Sequence, residues 1–198
     1  DISLRWEQFQ LAFKKADAKT ITTSKNALEI LYSLKEFVLN TPLEIPKRIC
    51  HNDTKLNNML FNKDSGQAIC MVDLDTLMPG FAFYDFGDAL RTIANSATEG
   101  AIKTPVFFKE NHATHFIKGL CQQPNTFTKK EWLSFPFGGV YMPFIHGLRA
   151  LTDYLAGNVY YKVSYPNENL DRAKSLLSFA QAAYEQQKFL HDIIQESI

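Results

Sequence analysis

Glycine is missing from the first 65 residues: the first of the nine glycines in the chain is Gly66. This absence excludes a glycine-rich loop that covers nucleotide phosphates anywhere before that position. An excess of charge of one sign is missing as well, since 21 basic residues balance 21 acidic ones and no basic block occurs. A protein whose main partner is nucleic acid carries a basic patch, so the charge balance argues against such a partner.

Cysteine is scarce, and long apolar runs are missing. The three cysteines, Cys50, Cys70 and Cys121, are odd in number and show no C-x-x-C spacing. That pattern predicts reduced, buried thiols in a cytoplasmic protein rather than a disulfide framework. The sequence shows neither a signal-peptide pattern nor an apolar run long enough to cross a bilayer, so it predicts no membrane partner.

The apolar content, by contrast, is high. Hydrophobic residues make up 45% of the 198-residue chain, and 16 residues are phenylalanine. Such a chain can bury one sizeable core, so we predict a single domain over residues 1–198. Apolar spacing and capping signals predict mostly helix. The expected helices with both ends defined are 1–17, 24–40, 82–96, 106–122 and 144–156. A further helix is expected to begin with a capping box at 128–131, and proline and glycine at 136–143 are expected to interrupt the helical pattern before residue 144. A long final helix is expected after Pro166.

A polar motif interrupts the helical pattern near residue 50. His51, Asp53 and Asn58 give the spacing H-x-D-x-x-x-x-N, and Asp73 and Asp75 follow as D-x-D. Composition predicts a β-hairpin between the two parts: strand 59–61, turn 62–66 and a buried return strand 68–72. A hairpin of this kind brings Asn58 and Asp73 side by side at one end, as two ligands of one metal ion require.

This order of groups is typical of phosphoryl transfer from ATP. Asp53 is the candidate that directs the attacking hydroxyl group. Lys55, two residues later, is placed to offset charge that develops on the transferred phosphate. Asn58 and Asp73 offer the oxygen ligands that Mg²⁺ prefers. Two roles stay open for Asp75, which either joins Asp73 on the metal or orients the phosphates.

Three segments carry a resemblance to a known superfamily: 51–60 (H-N-D-T-K-L-N-N-M-L), 72–80 (V-D-L-D-T-L-M-P-G) and 84–88 (Y-D-F-G-D). They resemble the aminoglycoside phosphotransferase and choline kinase superfamily, and most of all its N-acetylhexosamine 1-kinase branch. The similarity extends through 147–155 to the final helix. It implies the helical C-terminal lobe of a protein kinase-like α+β fold, mainly α with a small β-hairpin. It also implies Mg²⁺, ATP as phosphoryl donor, and the anomeric hydroxyl of N-acetylglucosamine or N-acetylgalactosamine as acceptor.

The same resemblance implies roles for further residues. Asp85 is expected to hold the backbone of the catalytic loop from below, and His51 to fix that loop by hydrogen bonding. Arg149, Asp153 and Tyr160 are candidate sugar-binding residues, because a guanidinium fork, a carboxylate and an aromatic ring suit a pyranose. Arg149 and Asp153 lie four residues apart on an expected helix, so a surface ion pair is the alternative.

The family also implies a partner lobe. In relatives a β-rich lobe precedes these motifs and carries the phosphate-covering loop, a strand lysine and a helix glutamate. Here two amphipathic helices are expected before His51, and they cannot form such a lobe. We therefore expect the chain to be a C-terminal lobe whose partner is an N-terminal nucleotide-clamping lobe, and we expect little turnover without that partner.

Three functions remain open from the sequence. The first is an ATP-dependent kinase for an amino sugar, with choline or an aminoglycoside as remoter acceptors. The second is a catalytically incompetent remnant or regulatory module that keeps the metal-binding residues. The third is a nucleotide-sugar glycosyltransferase that uses the D-x-D at 73–75; it predicts a preference for Mn²⁺ and no requirement for Asp53.

Overall fold

Helices dominate the computed structural model, which describes residues 2–41, 44–101, 104–123 and 126–198. The helices are α1 (Ile2–Lys15), α2 (Ala18–Thr23), α3 (Lys25–Asn40), α4 (Ala82–Ile93), α5 (Glu110–Cys121), α6 (Lys129–Leu155), α7 (Glu168–Glu185) and α8 (Gln187–Ser197). The strands are β1 (Arg48–Cys50), β2 (Met59–Phe61), β3 (Ala68–Met71) and β4 (Met78–Gly80). Short 3₁₀ turns at Leu56–Asn58 and Leu74–Thr76 precede β2 and β4. The prediction of a mainly α fold with a small β-hairpin is confirmed.

The centre of the fold is α6, which packs mainly against α1, α4 and α7 and also contacts α3 and α8. The predicted capping box at its start is confirmed: the Glu131 N–H donates to Thr128 Oγ1 at 3.3 Å, and the Thr128 N–H donates to Glu131 Oε2 at 2.8 Å. This reciprocal pair satisfies two N–H groups that the helix cannot bond internally. Large side chains with almost no exposure form the core: Phe9, Leu31, Leu34, Leu90, Ile117, Phe135, Phe144, Leu148, Leu151, Leu170, Leu177 and Phe179.

Helices α4 and α6 cross at two glycines. A Cβ atom at Gly87 would lie 2.0 Å from the carbonyl oxygen of Gly138, and one at Gly138 would lie 2.4 Å from the carbonyl oxygen of Phe83. Since these neighbours are backbone atoms, any side chain at either position would push the helices apart. The crossing therefore fixes α4, which carries Asp85 in its first turn, closely against the central helix.

The expected interruption of the helix at 136–143 is wrong, because α6 runs through it without a break. Pro136 and Pro143 lie inside the helix and are both buried. Each proline lacks an N–H group and so removes one intrahelical hydrogen bond. The Pro136 carbonyl also accepts a hydrogen bond from outside the helix, since Gln187 Nε2 donates to it at 2.7 Å. Burial of α6 among α1, α4 and α7 outweighs the unfavourable local propensity.

The short helix α2 was not predicted, and the helices differ from the prediction by more than two residues at three other places. Helix α4 ends at Ile93 because Asn95 forms an isolated β-bridge with Phe108, and the Lys109 N–H donates to the Ala94 carbonyl at 2.7 Å. The same bridge delays the start of α5 to Glu110. The long final helix is two helices, α7 and α8, that meet at Gln186.

The strands form two antiparallel pairs, β1 with β4 and β2 with β3. The predicted hairpin is therefore present, with Met59 opposite Met71. Its return strand is not buried as expected: Ile69 is 62% exposed and Cys70 is exposed too. The apolar residues of this strand face the surface because none of α1 to α8 covers the outer side of the hairpin within the described residues.

The cysteines also differ in part from the prediction. Cys50 is buried, Cys121 is partly buried and Cys70 is exposed. Burial raises the pKa of the Cys50 thiol to about 11. Of the helices described in the ranges given above, none combines the length and apolar character that a membrane span needs.

Candidate active site

The loop after β1 is held by hydrogen bonds to Asp85, which lies in the first turn of α4. The backbone N–H groups of His51 and Asn52 donate to the two carboxylate oxygens of Asp85 at 2.8 and 2.7 Å. The hydroxyl of Thr54 donates to the Asp85 carbonyl at 2.6 Å. Burial raises the pKa of the Asp85 carboxyl group, and the two backbone donors act in the opposite direction. These contacts give the residues on both sides of Asp53 fixed backbone positions.

Asn52 adopts a left-handed conformation, with φ of 61°, which turns the chain sharply before Asp53. Asparagine tolerates this region better than most residues. Its side chain also joins two segments, because Nδ2 donates to the carbonyls of Cys50 at 3.0 Å and Thr76 at 3.1 Å. The loop carrying Asp53 is thus tied to the segment that follows Asp73.

His51 makes the second connection between these two segments. Its Nε2 lies 3.1 Å from the carbonyl oxygen of Val72, and the hydroxyl of Thr76 donates to the His51 carbonyl at 2.6 Å. His51 is 9% exposed, so its ring is inside the loop rather than at the surface. It is placed to fix backbone geometry, and Asp53 is left as the more accessible acid–base group.

Asp53, Lys55 and Asn58 form one hydrogen-bonded cluster. Lys55 Nζ lies 2.6 Å from Asp53 Oδ2, and Asn58 Nδ2 donates to the same oxygen at 2.8 Å. Asn58 Nδ2 also donates to the Asp53 carbonyl at 2.8 Å. Asp53 Oδ1 accepts no hydrogen bond from any residue in the described ranges, so this oxygen is free to accept a proton from an acceptor hydroxyl.

Asp73 follows the return strand and reaches the same end of the hairpin as Asn58. The Val72 N–H donates to the Asn58 carbonyl at 2.9 Å, which places these two segments in direct contact. Asp73 has a φ of 65°, and both Asp73 and Asp75 are exposed without an ion pair to any described residue. The two carboxylates are therefore available to a cation.

The donor set fits Mg²⁺. Asn58 uses its Nδ2 on Asp53, so its Oδ1 remains as a neutral oxygen ligand, and Asp73 adds a charged one. Among the residues that the structure describes, no three His, Cys, Asp or Glu side chains cluster into a metal cage. Mg²⁺ commonly takes one or two carboxylates and completes its shell with water and substrate phosphates, which agrees with so open a site.

A family model described as the phosphotransferase enzyme family, APH, matches residues 3–104. That segment is just over half of the chain and contains the Asp53 loop, the hairpin, Asp73 and all of α4. The chain belongs to the APH phosphotransferase family. The expected membership of the aminoglycoside phosphotransferase and choline kinase superfamily is therefore confirmed, and with it a kinase-type phosphotransferase fold. Members of such a family in general use ATP and a divalent metal.

The matched segment also contains contacts that the sequence did not single out. Thr92, near the end of α4, accepts the Leu56 N–H through its hydroxyl at 2.9 Å. The hydroxyl groups of Thr54 and Thr76 also hold the loop, because they donate to the carbonyls of Asp85 and His51. Isolated threonines carry no spacing signal, so only the folded chain shows that three of them hold one loop.

The three candidate sugar-binding residues lie together near the C-terminal end of α6. Arg149, Asp153 and Tyr160 line a cavity of about 330 Å³, and Arg5 and Gln8 of α1 line it too. Tyr160 is 73% exposed. The structure brings all three residues together, although they come from the helix and from the loop that follows it.

Asp153 uses its carboxylate inside the chain. Its oxygens accept the backbone N–H groups of Val159, Tyr160 and Tyr161 at 2.8 to 2.9 Å, and Asn169 Nδ2 donates to it at 2.8 Å. The alternative ion pair with Arg149 does not form. Asp153 thus shapes the loop at 158–161 that forms one wall of the cavity.

Proposed function

We propose that the chain is the catalytic, acceptor-binding lobe of an ATP- and Mg²⁺-dependent phosphotransferase that acts on the hydroxyl of a small molecule. The observation that carries the proposal is the cluster of Asp53, Lys55 and Asn58, placed at one end of the hairpin beside Asp73. The phosphotransferase family match supports the reaction class. Phosphoryl transfer depends mainly on positioning and charge neutralisation, and this cluster offers both.

Each residue has a distinct task in this proposal. Asp53 Oδ1 orients the acceptor hydroxyl and accepts its proton as the oxygen attacks. Lys55 holds the other Asp53 oxygen and adds positive charge where phosphate charge develops. Asn58 and Asp73 hold Mg²⁺, and Asp75 either joins them or orients the phosphates. When bound, the metal neutralises the phosphate oxygens of ATP.

We further propose an N-acetylhexosamine, phosphorylated at its anomeric hydroxyl, as the acceptor. The charge of the cavity beside α1 supports a neutral acceptor over a cationic one. Arg5 and Arg149 both line it, whereas its carboxylate, Asp153, is taken up by backbone donors. Choline and aminoglycosides are cations and would meet like charge there. A neutral acetamido oxygen suits the free guanidinium of Arg149.

The elements that clamp the nucleotide are proposed to come from a separate lobe, on the same or another polypeptide. The strand segments around Asp73 expose apolar side chains that a second lobe would cover. The exposed residues are Ile49, Leu60, Phe61, Ile69, Leu74, Leu77 and Met78, which are between 46% and 72% exposed. An exposed apolar surface of this kind is unfavourable in water. We propose that a second lobe covers it and forms the other side of a nucleotide-binding cleft next to Asp73.

The test begins with the intact mass of the protein as its own cell makes it. That protein is then incubated with ATP, Mg²⁺ and a panel of N-acetylglucosamine, N-acetylgalactosamine, choline and an aminoglycoside. We expect a mass larger by a lobe, and transfer to the N-acetylhexosamines that requires ATP and Mg²⁺. A protein of the size of this chain that binds nucleotide and transfers phosphate to none of the four acceptors would favour a regulatory module instead.

A further inference from the structure

The ring of Tyr161 contacts two guanidinium groups. Cζ of Arg172 lies 4.8 Å from the ring centroid and Cζ of Arg149 lies 5.9 Å from it. A cation over an aromatic face is attracted by the ring quadrupole, so both contacts are favourable. Arg149 has neither a hydrogen bond nor an ion pair with any described residue. The ring of Tyr161 is therefore the contact that positions it, and its N–H donors stay free for a ligand.

Arg172 is itself held in place by Glu99. Arg172 Nε lies 2.5 Å from Glu99 Oε1, and Arg91 Nη1 lies 2.6 Å from Glu99 Oε2. Burial acts to raise the pKa of Glu99, but Arg91 and Arg172 outweigh it, and the pKa is lowered overall. Glu99 thus stays an anion that bridges two arginines and fixes the orientation of the one that touches Tyr161.

The chain of contacts is anchored in α4. Arg91 Nε lies 2.7 Å from Oδ1 of Asp88, which is fully buried. The next residue, Thr92, accepts the Leu56 N–H of the catalytic loop. One helical turn of α4 therefore supports both the Asp53 loop and, through Glu99 and Arg172, the wall of the cavity that Tyr161 forms.

The backbone of that wall is equally constrained. The N–H groups of Val159, Tyr160 and Tyr161 all donate to the buried carboxylate of Asp153. Asn158, with φ of 60°, donates from its Nδ2 to the Pro166 carbonyl at 3.0 Å. The rigid loop and the fixed Arg172 side chain restrict the orientation of the Tyr161 ring. Because Arg149 contacts that ring, its guanidinium group is restricted as well.

We infer that Tyr161 and Glu99 are positioning residues for the acceptor site, acting through Arg172 and Arg149 rather than by touching the reacting atoms. The inference rests on the proposed function, because it takes the cavity lined by Arg149 as the acceptor site. Tyr161 presents Arg149 to the acceptor, and Glu99 keeps the second guanidinium from turning away.

The kinetic test compares four variants of the whole protein. Tyr161→Leu removes the ring face and is expected to raise KM for the acceptor about tenfold, which corresponds to a lost cation–π contact of ~1.4 kcal/mol. KM for ATP should change less than twofold. Tyr161→Phe keeps the ring and should restore the acceptor KM to near the wild-type value. Glu99→Gln, which loosens Arg172, should raise the acceptor KM about threefold. Tyr165→Leu, in the same loop and paired with neither guanidinium, is the matched control.

A second measurement needs no activity. The Nε–H signal of Arg149, assigned by its loss in Arg149→Lys, reports in ¹⁵N NMR relaxation how rigid that side chain is. We expect a rigid signal in the wild type and in Tyr161→Phe, and a mobile one in Tyr161→Leu. An unchanged Arg149 signal in Tyr161→Leu would overturn the inference, as would equal rises in the KM values of acceptor and ATP. If no acceptor is phosphorylated, the proposed function fails, while the NMR result still decides the positioning role.

Discussion

Asn58 donates from its side-chain Nδ2 to Oδ2 of Asp53 at 2.8 Å, and this bond decides how the two residues divide their work. The donor face of the amide points at the carboxylate, so the Asn58 carbonyl oxygen points elsewhere and is free for a metal. The carboxylate, in turn, receives its donors on one oxygen and keeps the other for an acceptor hydroxyl. In the proposed mechanism, this contact separates the metal-binding role of Asn58 from the proton-accepting role of Asp53.

Asn58→Ala tests this division. The change removes the neutral oxygen ligand and also the donor to Asp53, so the Mg²⁺ concentration for half-maximal transfer should rise by about 10- to 100-fold. A Mg²⁺ titration of initial rates in the whole protein measures it. The control is Asn57→Ala at the neighbouring, exposed position. Equal Mg²⁺ requirements for the two variants would remove Asn58 from the metal site.

Gly87→Ala tests the close crossing of α4 and α6. The new methyl group would meet the Gly138 backbone at 2.0 Å, so we expect a loss of about 3 kcal/mol in the free energy of unfolding. Denaturant unfolding measures the change. Gly119→Ala, in α5, meets no atom within 4 Å and should instead gain about 0.5–1 kcal/mol from the better helix propensity of alanine. A similar effect of both changes would mean that the helices do not touch at Gly87.

Glu131 makes the free energy of unfolding depend on pH in the acid range. Its buried carboxylate pairs with Arg48 of β1, with Nη2 donating to Oε2 at 2.8 Å, and this bond lowers the pKa of Glu131 to about 2 from an ordinary value of 4.5. The unfolded chain therefore takes up this proton at a higher pH than the folded chain does. The stabilisation is fully present above pH 4.5 and is lost as the pH falls through 2.

Glu131→Gln should remove the loss of stability that protonation of Glu131 causes as the pH falls from 4.5 through 2. It should also lower the free energy of unfolding near neutral pH by about 2 kcal/mol, less than for a fully buried pair because Arg48 is partly exposed. Unfolding curves between pH 2 and pH 7 measure both effects. Glu7→Gln, at an exposed position in α1, serves as the control and should leave the curve unchanged. An identical pH dependence in wild type and Glu131→Gln would contradict the assignment.

The features that the sequence predicted correctly are those encoded within a few residues. The Thr128–Glu131 capping box needs four residues, and the hairpin turn is set by the polar, glycine-containing stretch at 62–66. The spacing of His51, Asp53 and Asn58 pointed to the phosphotransferase superfamily, which the family match confirms, because phosphoryl transfer constrains that spacing directly.

The features that the sequence did not predict depend on partners far away along the chain. The prolines of α6 indicated a break, and only packing against five other helices shows why the helix continues. Arg172 and Glu99 are 73 residues apart and belong to no motif. The exposed return strand looked buried because its residues are apolar, and local composition does not state which side of a hairpin is covered.

The most direct test of the proposed mechanism is Asp53→Ala in the whole protein, with phosphoryl transfer and nucleotide binding measured in parallel. Asp53 is assigned to the acceptor hydroxyl and Asn58 with Asp73 to the metal, so transfer should fall at least about a thousandfold. The Kd for Mg²⁺–ATP, measured by calorimetry, should stay within about threefold of wild type. Asp64→Ala, on the exposed hairpin turn, should leave both quantities unchanged. Loss of transfer and nucleotide binding to the same degree would contradict the role given to Asp53.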